Sequence, residues 1–462
     1  MKSKLKKMSR TNILGLALLL AFSAIVVRLF QLQIIDNEKY LALADAEQMK
    51  RFEIPAQRGL IYAMDGKTPT KLVMNESIYT VFADPQMIKD DEKSEIISKI
   101  KEVAGGNVRD GFESLLDKKE SRYQILATKI SRKQAEMIKE SDFTGIGFQE
   151  TSQRVYPEGQ LASQVLGFVN SEGGQYGIEG ALNDELSGKD GQLKTVTDVS
   201  GVPLTIGSRD IDTPAEDGKN VVLSIDRNIQ AQAEKILKNK LESSGAKDGS
   251  VIVMDPQTGK VMAMANYPTY NPAEFSTVTD VSVFTNGTTT SAYENGSVIK
   301  SLTMAMGIDT GVASPSDTYY NKDFVEIEDR TIKNAVLGHT GMVTFQTAMN
   351  YSLNTGMVEI ASRLGGGQIN KTARDTMYNY YHDRFGLGEK TGVEVYEEKG
   401  TVISPENAEG NAVRYSNMSF GQGMNTTMIQ AASAFSSIIN GGTLYKPIVI
   451  NGEITSSGEY KQ

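Results

Sequence analysis

Four side chains stand at spacings suited to the chemistry of an activated hydroxyl. Ser297 and Lys300 lie three residues apart in SAYENGSVIKSLTMAMG (291–307), and Ser352 and Asn354 follow in TAMNYSLNTGMVEIASRLG (347–365). If Asn295-Gly296 closes the preceding loop and Ser297 opens a helix, the i, i+3 spacing puts hydroxyl and amine on one face, about 5–6 Å apart at Cβ. A serine hydroxyl is inert at its own pKa. A partly desolvated lysine sheds its proton more readily and can act as its base, and a helix N-terminus favours the oxyanion that develops. The apolar positions Leu302, Met304, Ala305 and Ile308 are expected to bury the helix and fix the pair. A hydroxyl and a carboxamide at Ser352 and Asn354 can relay a proton and hydrogen-bond a substrate amide. The S-x-x-K spacing recurs at Ser3/Lys6, Ser98/Lys101 and Ser244/Lys247, where an exposed lysine on a helix is the plain reading. S-x-N is likewise an ordinary helix cap in isolation. The order of the two pairs, S-x-x-K and then S-x-N, is what carries information.

Other chemistries are poorly supplied. With no Cys there is no disulfide framework, no thiolate metal site and no Cys nucleophile. Two histidines, His339 and His382, cannot make a three-His metal site, and both sit in polar, turn-like contexts (VLGHTG, YYHDRFG) without a G-x-S-x-G elbow. No cofactor is expected. The 462 residues carry 48 Lys+Arg against 57 Asp+Glu, a net charge of −9, with no basic stripe beyond the first ten residues, which argues against a nucleic-acid partner.

The elements that must position these groups begin with a membrane signal. Lys2, Lys4, Lys6, Lys7 and Arg10 precede an uncharged run from Thr11 to Val27, about 25 Å of helix, and the apolar pattern continues through Leu29, Phe30, Leu32, Ile34 and Ile35. No small-x-small cleavage site with a polar start follows, so residues 1–35 read as a cytoplasmic tail and uncleaved signal-anchor, with everything after about residue 36 outside the cytoplasm. Residues 36–215 read as a mixed α+β module. Asp91–Gly105 places Ile96, Ile97, Ile100 and Val103 on one helical face, Ser131-Arg-Lys-Gln134 is a capping box, and Ile78–Phe82 and Leu193–Asp198 are strand-like. From 216 onward, VVLSI (221–225) reads as a strand. Asp226 then caps a helix carrying Ile229, Ala233, Ile236, Leu237 and Leu241 that stops at Gly245, and a hairpin turns at Pro256-Gln-Thr-Gly259. A helix followed by an antiparallel hairpin opens an α/β sandwich.

These segments, in this order, resemble a class B penicillin-binding protein over nearly the whole chain. YENGSVIK is similar to the family's Y-E-P-G-S-x-x-K, with Asn295 in the proline's place. AQRGLIYAMDG (56–66), RVYPEGQLASQVLGFVN (154–170), YGIEGALNDELSGKDG (176–191), SIDRNIQAQAE (224–234), VIVMDPQTGKVMAMANYPTYNP (251–272) and SFGQGMNTTMIQAASAFSSIINGG (419–442) also match. Arg58-Gly59 fits the family's R-G-x-I opening, but Ala63-Met64-Asp65-Gly66 replaces the usual D-R-x-G. The resemblance implies a multidomain α+β fold: an N-terminal transmembrane helix, an elongated pedestal (dimerisation) domain at 36–215, and a serine transpeptidase α/β sandwich with an antiparallel sheet at 216–462. It implies that Ser297, deprotonated by Lys300, attacks the carbonyl between the terminal D-alanines of a peptidoglycan stem peptide. Ser352 would pass a proton between Lys300 and the leaving amine, and Asn354 would hold the substrate backbone. A neighbouring stem peptide's amine would then resolve the ester into a cross-link, and β-lactams would mimic the donor. The partners implied are the membrane, a polytopic glycan polymerase and division or elongation proteins.

Lys390-Thr391-Gly392 spells the family's third motif but precedes SFGQGMNTT, where the family's catalytic K-T-G follows it. FGLGEKTGVEVYEEKG (385–400) resembles instead the family's glycine-rich G-x-x-T-G-[IV] loop with an acid a few residues on. No second K-[ST]-G follows Gly442, so the expectation is a chain truncated before the strand that closes the site, with poor β-lactam reactivity. Two enzyme alternatives are weaker: a serine β-lactamase lacks its E-x-x-L-N segment here, and a His-based hydrolase lacks its elbow. A scaffold or β-lactam-sensing envelope protein is the non-catalytic alternative.

Overall fold

The computed structural model describes residues 10–40, 49–196 and 211–462. These fall into two compact units, one of the described residues up to Ala56 with Gly188–Asp217, the other of Gln57–Ser187 with Gly218–Gln462. In the first unit the N-terminal helix runs Arg10–Phe30 and continues as a π-helical turn over Gln31–Ile35. The stretch Leu14–Ile35 is apolar, 22 residues long and not buried within the protein. At about 1.5 Å per residue that is about 33 Å, enough to cross a hydrocarbon core. The helix thus continues beyond the uncharged run Thr11–Val27 as far as Ile35, where the apolar pattern also runs. The same unit holds an antiparallel sheet of Met49–Ile54, Gly191–Val196 and Ile211–Thr213, with Ile54 opposite Gly191. The end of the expected strand Leu193–Asp198, residues 197 and 198, lies outside the described residues.

In the second unit a seven-stranded sheet is organised around the sixteen-residue strand Thr68–Ala83. Its start forms a hairpin with Ile61–Asp65 through Gly66 at φ +61°, a backbone that glycine adopts without a Cβ penalty. The Ala63-Met64-Asp65-Gly66 replacement is thus a tight turn. It is tied down by Gly66 N–H donating to Asp226 Oδ2 at 3.1 Å and by Asn228 Nδ2 donating to Asp65 Oδ1 at 2.8 Å. The later part of Thr68–Ala83 pairs with Gln124–Ser131 on one edge and Ile146–Val155 on the other. Ile61–Asp65 pairs in parallel with Asn220–Asp226, so the sheet runs without a break across the expected boundary near residue 216. The Lys93–Ala104 helix buries Ile96, Ile100 and Val103 beneath the sheet's Val81, Leu126 and Ile130, and Ser131 with Gln134 closes the expected capping box.

Asp226 caps the Arg227–Ser244 helix, accepting the N–H groups of Asn228 and Ile229 at 2.9 and 3.1 Å, and Gly245 ends it at φ +74°. Ala233, Leu237 and Leu241 pack on Ala263 and Ala265 of the hairpin Gly249–Met254/Val261–Tyr267. Ile236, on the same helix, is 56% exposed because it lies off the 233/237/241 stripe. The helix Met428–Ile439 also packs on the hairpin. A separate, mainly helical core built from Ile299, Leu302, Met306, Phe345, Leu353, Met357, Tyr381 and Tyr415 supports the candidate site.

Candidate active site

The turn that presents Ser297 is fastened to a segment more than 120 residues later. Ala292–Tyr293 pairs with Thr426–Thr427, and Glu294 Oε1 accepts the Gly423 N–H at 2.7 Å. Asn295 Oδ1 accepts the Thr426 hydroxyl, and Gly296 N–H donates to Gly421 O at 3.0 Å. Asn295 has φ −71°, inside the range a proline ring imposes, so the departure from proline keeps the backbone and adds a side-chain bond. Gly296–Val298 form one 3₁₀ turn before the Ile299–Asp309 helix. Ser297 is exposed at this turn while Lys300, three residues on, is buried to 2% exposure.

Leu302 and Met304 bury the helix as expected, but Ala305 is only half-buried and Ile308 is 51% exposed. Thr303 and Met306 take the inner face instead. The hydroxyl of Thr303 can be buried because it donates to Ser419 O at 2.6 Å and meets Tyr381 OH at 2.7 Å. This polar lock escapes a reading of apolar periodicity. Its one sequence signal is a threonine three residues after Lys300 in an otherwise apolar helix.

Ser352 sits in a tight turn between the helices Phe345–Asn350 and Asn354–Arg363, with φ +56°, a left-handed backbone that non-glycine residues rarely adopt. The turn is held by Ser352 N–H to Met349 O at 3.2 Å and Leu353 N–H to Ala348 O at 2.8 Å, with Leu353 fully buried. Gly356 lies inside the second helix rather than ending an element, and its missing Cβ lets Ala348 approach closely.

These two turns bring three of the four expected residues into one hydrogen-bonded chain. Lys300 Nζ donates to Ser352 O at 2.6 Å and to Ser352 Oγ at 2.8 Å, and Ser352 Oγ donates to Ser297 Oγ at 3.0 Å. The link from Lys300 to Ser297 thus runs through Ser352. Burial pushes the Lys300 ammonium down from 10.5 to about 8. Once it is neutral the same chain can run the other way, Ser297 O–H to Ser352 Oγ and Ser352 O–H to the amine lone pair, an arrangement able to draw a proton from the Ser297 hydroxyl. Asn354, the fourth, donates from Nδ2 to Lys333 O at 2.8 Å.

Lys390, Thr391 and Gly392 serve a different structure. Lys390 Nζ stands 5.5 Å from the centroid of the Tyr396 ring, and Glu397 accepts from Thr391 N–H, Thr391 Oγ1 and Gly392 N–H at 2.9, 2.8 and 2.7 Å. That is a glycine-bearing loop closed on an acid a few residues on. The His339 ring lies tilted against Tyr351, and His382 contacts Asp383, Glu389 and Tyr378. Neither has a hydrogen bond to Ser297, Lys300 or Ser352 among the described residues.

Comparison with known proteins places these features. Residues 249–462 match the penicillin binding protein transpeptidase domain, and residues 53–223 the penicillin-binding protein dimerisation domain. Stage V sporulation protein D of Bacillus subtilis is 31% identical over 436 residues, covering 93% of this chain and 65% of that protein. Peptidoglycan D,D-transpeptidase FtsI of Escherichia coli K12 is 26% identical over 438 residues, covering 94% and 71%. The fold is that of a crystal structure of penicillin binding protein 2X from Streptococcus thermophilus, with TM-score 0.72 at 23% identity over 87% of this chain and 61% of that one. A chain from a peptidoglycan synthase complex matches with TM-score 0.70 at 21% identity, covering 98% and 82%. The chain therefore spans just under two thirds of the sporulation protein's length and of the Streptococcus chain.

Proposed function

The chain belongs to the class B penicillin-binding proteins, and from that membership we propose that it is a serine D,D-transpeptidase that cross-links peptidoglycan stem peptides and is acylated by β-lactams. The observation that carries this reading is the Ser297–Ser352–Lys300 chain of hydrogen bonds. In the acylation step Ser297 Oγ attacks the carbonyl of the penultimate D-alanine. The Ser297 proton passes through Ser352 to Lys300, then returns by Ser352 to the amine of the departing D-alanine. Asn354 holds the substrate backbone by its amide. In the second step an acceptor amine attacks the ester, forming the new peptide bond and freeing Ser297. With a β-lactam the leaving amine stays tethered in the opened ring, so the ester persists.

The wider reading follows the same logic. The Leu14–Ile35 helix anchors the chain in the membrane, with the N-terminus cytoplasmic and the body outside, as the N-terminal lysines favour. Residues 36–215 form the pedestal and 216–462 the transpeptidase domain, and the partner class is a polytopic glycan polymerase with its division or elongation proteins. The decisive experiment is fluorescent-penicillin labelling of the chain and of Ser297→Ala. The wild type is expected to take label slowly and then hold it for hours, and the folded mutant to take none. Label on the mutant would displace Ser297, label shed in minutes would indicate a hydrolase, and a wild type that takes no label would favour a scaffold.

A further inference from the structure

The turn bearing Ser352 and Asn354 is fastened from two separate sides. Ser352 and Leu353 are tied back to the helix before them through Met349 O and Ala348 O. Asn354 and Thr355 are tied instead to the end of the Arg330–Lys333 strand and the residue after it. Asn354 Nδ2 donates to Lys333 O at 2.8 Å, and Thr355 N–H donates to Asn334 Oδ1 at 3.0 Å. The Asn354–Arg363 helix has Leu353 at its N-cap, a side chain that cannot accept a hydrogen bond. Its cap is supplied by Asn334, 21 residues earlier in the chain.

Asn334 is itself held in a buried polar node. It is 5% exposed, and its Nδ2 donates to Asn321 Oδ1 and Asp323 Oδ1, both at 3.2 Å. Thr355 Oγ1 donates to Asn321 Oδ1 at 2.9 Å, and Asn321 Nδ2 donates to Asp323 Oδ1 at 3.1 Å and His339 O at 2.8 Å. Asp323 Oδ2 accepts the Gly338 N–H at 2.7 Å. An apolar filling of this space would give cohesion without direction. A buried amide with its donors and acceptor paired fixes both position and orientation.

We propose that Asn334 is the positioning residue for Asn354. It caps the helix that begins there while the adjoining Lys333 carbonyl, which can only accept, sets which way the Asn354 carboxamide is turned. Asn354 Oδ1 and its second Nδ2 hydrogen are then the groups left to meet a substrate amide. This rests on the reading of Asn354 as the substrate-holding amide. Because Ser352 is fastened elsewhere, Asn334 governs how well a substrate is held, and leaves the proton path from Ser297 to Lys300 untouched.

The test uses the full chain with Asn334→Ala and with Asn334→Ser, whose hydroxyl can still accept from the Thr355 N–H. Hydrogen exchange at the Thr355 amide and the concentration and pH dependence of penicillin labelling are measured. In Asn334→Ala the Thr355 amide is expected to exchange at least about tenfold faster, and the penicillin concentration for half-maximal labelling rate to rise about tenfold. The limiting rate and its pH midpoint should stay unchanged. Asn334→Ser should recover both quantities in part, falling between Asn334→Ala and wild type, and it carries the test if Asn334→Ala does not fold. Unchanged Thr355 exchange, a loss confined to the limiting rate, or a shifted pH midpoint would overturn the proposal. A wild-type chain that takes no label sinks the functional reading instead, and the exchange measurement still decides the cap.

Discussion

Lys300 donates to Ser352 twice, at 2.6 Å to its carbonyl oxygen and 2.8 Å to its hydroxyl. Both acceptors are on one residue, and the backbone of that residue is in the left-handed region at φ +56°. The lysine is thereby clamped by a turn rather than by a carboxylate, so nothing negatively charged opposes loss of its proton.

The first prediction is a pH dependence. Burial holds the Lys300 ammonium at about 8 against an ordinary 10.5, and in the proposed mechanism the neutral form is the base. The penicillin-labelling rate should therefore rise with pH through about 8 and level off above it. For stability, the unfolded chain binds more protons than the folded one between about 8 and 10.5, so this residue's contribution grows with pH across that window and its full cost is felt below it. Chemical denaturation of wild type and Lys300→Met should show the rise only in wild type. A labelling rate flat between about pH 6.5 and 9.5 would contradict Lys300 as base.

The second concerns the relay. Ser352→Ala removes the side chain that hydrogen-bonds to both Ser297 and Lys300, and should slow labelling by about 10²–10⁴-fold. The double variant Ser352→Ala/Lys300→Ala should be little worse than either single one, because both break one path. Additive losses would mean two independent paths.

Two glycines offer a contrast. Gly296 has φ +59° but open space where a Cβ would stand, so Gly296→Ala should cost about 1–2 kcal/mol of stability and keep the label. A Cβ on Gly421 would lie 1.9 Å from Gly296 O, beneath the nucleophile turn. Gly421→Ala should displace that turn and cost about 10²-fold or more in labelling rate. Equal effects of the two substitutions would show that the turn does not depend on the 421 contact.

Away from the site, Glu179 is fully buried between Arg58 at 2.6 Å and Arg154 at 2.7 Å. Glu179→Ala would leave two largely buried guanidinium groups without their carboxylate and should destabilise the fold by about 3–5 kcal/mol in denaturant titration. A loss under about 1 kcal/mol would mean that water reaches both arginines.

Lys390→Ala should change labelling by less than about twofold, because Lys390 stands over the Tyr396 ring. A loss of tenfold or more would return Lys390 to the reaction.

Much of the site was legible in the residues. The Asp226 cap, the Ser131 capping box and the hairpin after Met254 each depend on groups within a few positions, and local backbone geometry dictates their meeting. The apolar N-terminal helix was legible for the same reason, since length and composition decide whether a segment can span a bilayer. Periodicity was a poorer guide to burial. Ile236 and Ile308 share helices with buried residues yet lie exposed, because the pattern marks a face and says nothing of what covers it.

By itself, then, the sequence determined which side chains could react, which neighbours they share within a turn, and the order of segments that marks the family. Only the tertiary structure decided that Lys300 reaches Ser297 through Ser352, that Thr303 locks to Ser419, that Asn334 caps the helix of Asn354, and that Lys390-Thr391-Gly392 closes on Glu397. The Lys300–Ser352, Thr303–Ser419 and Asn334–Thr355 contacts join residues 52, 116 and 21 positions apart. They exist because elements distant in the chain pack in an arrangement that pairs these buried groups with one another, a condition on the core that no local spacing encodes.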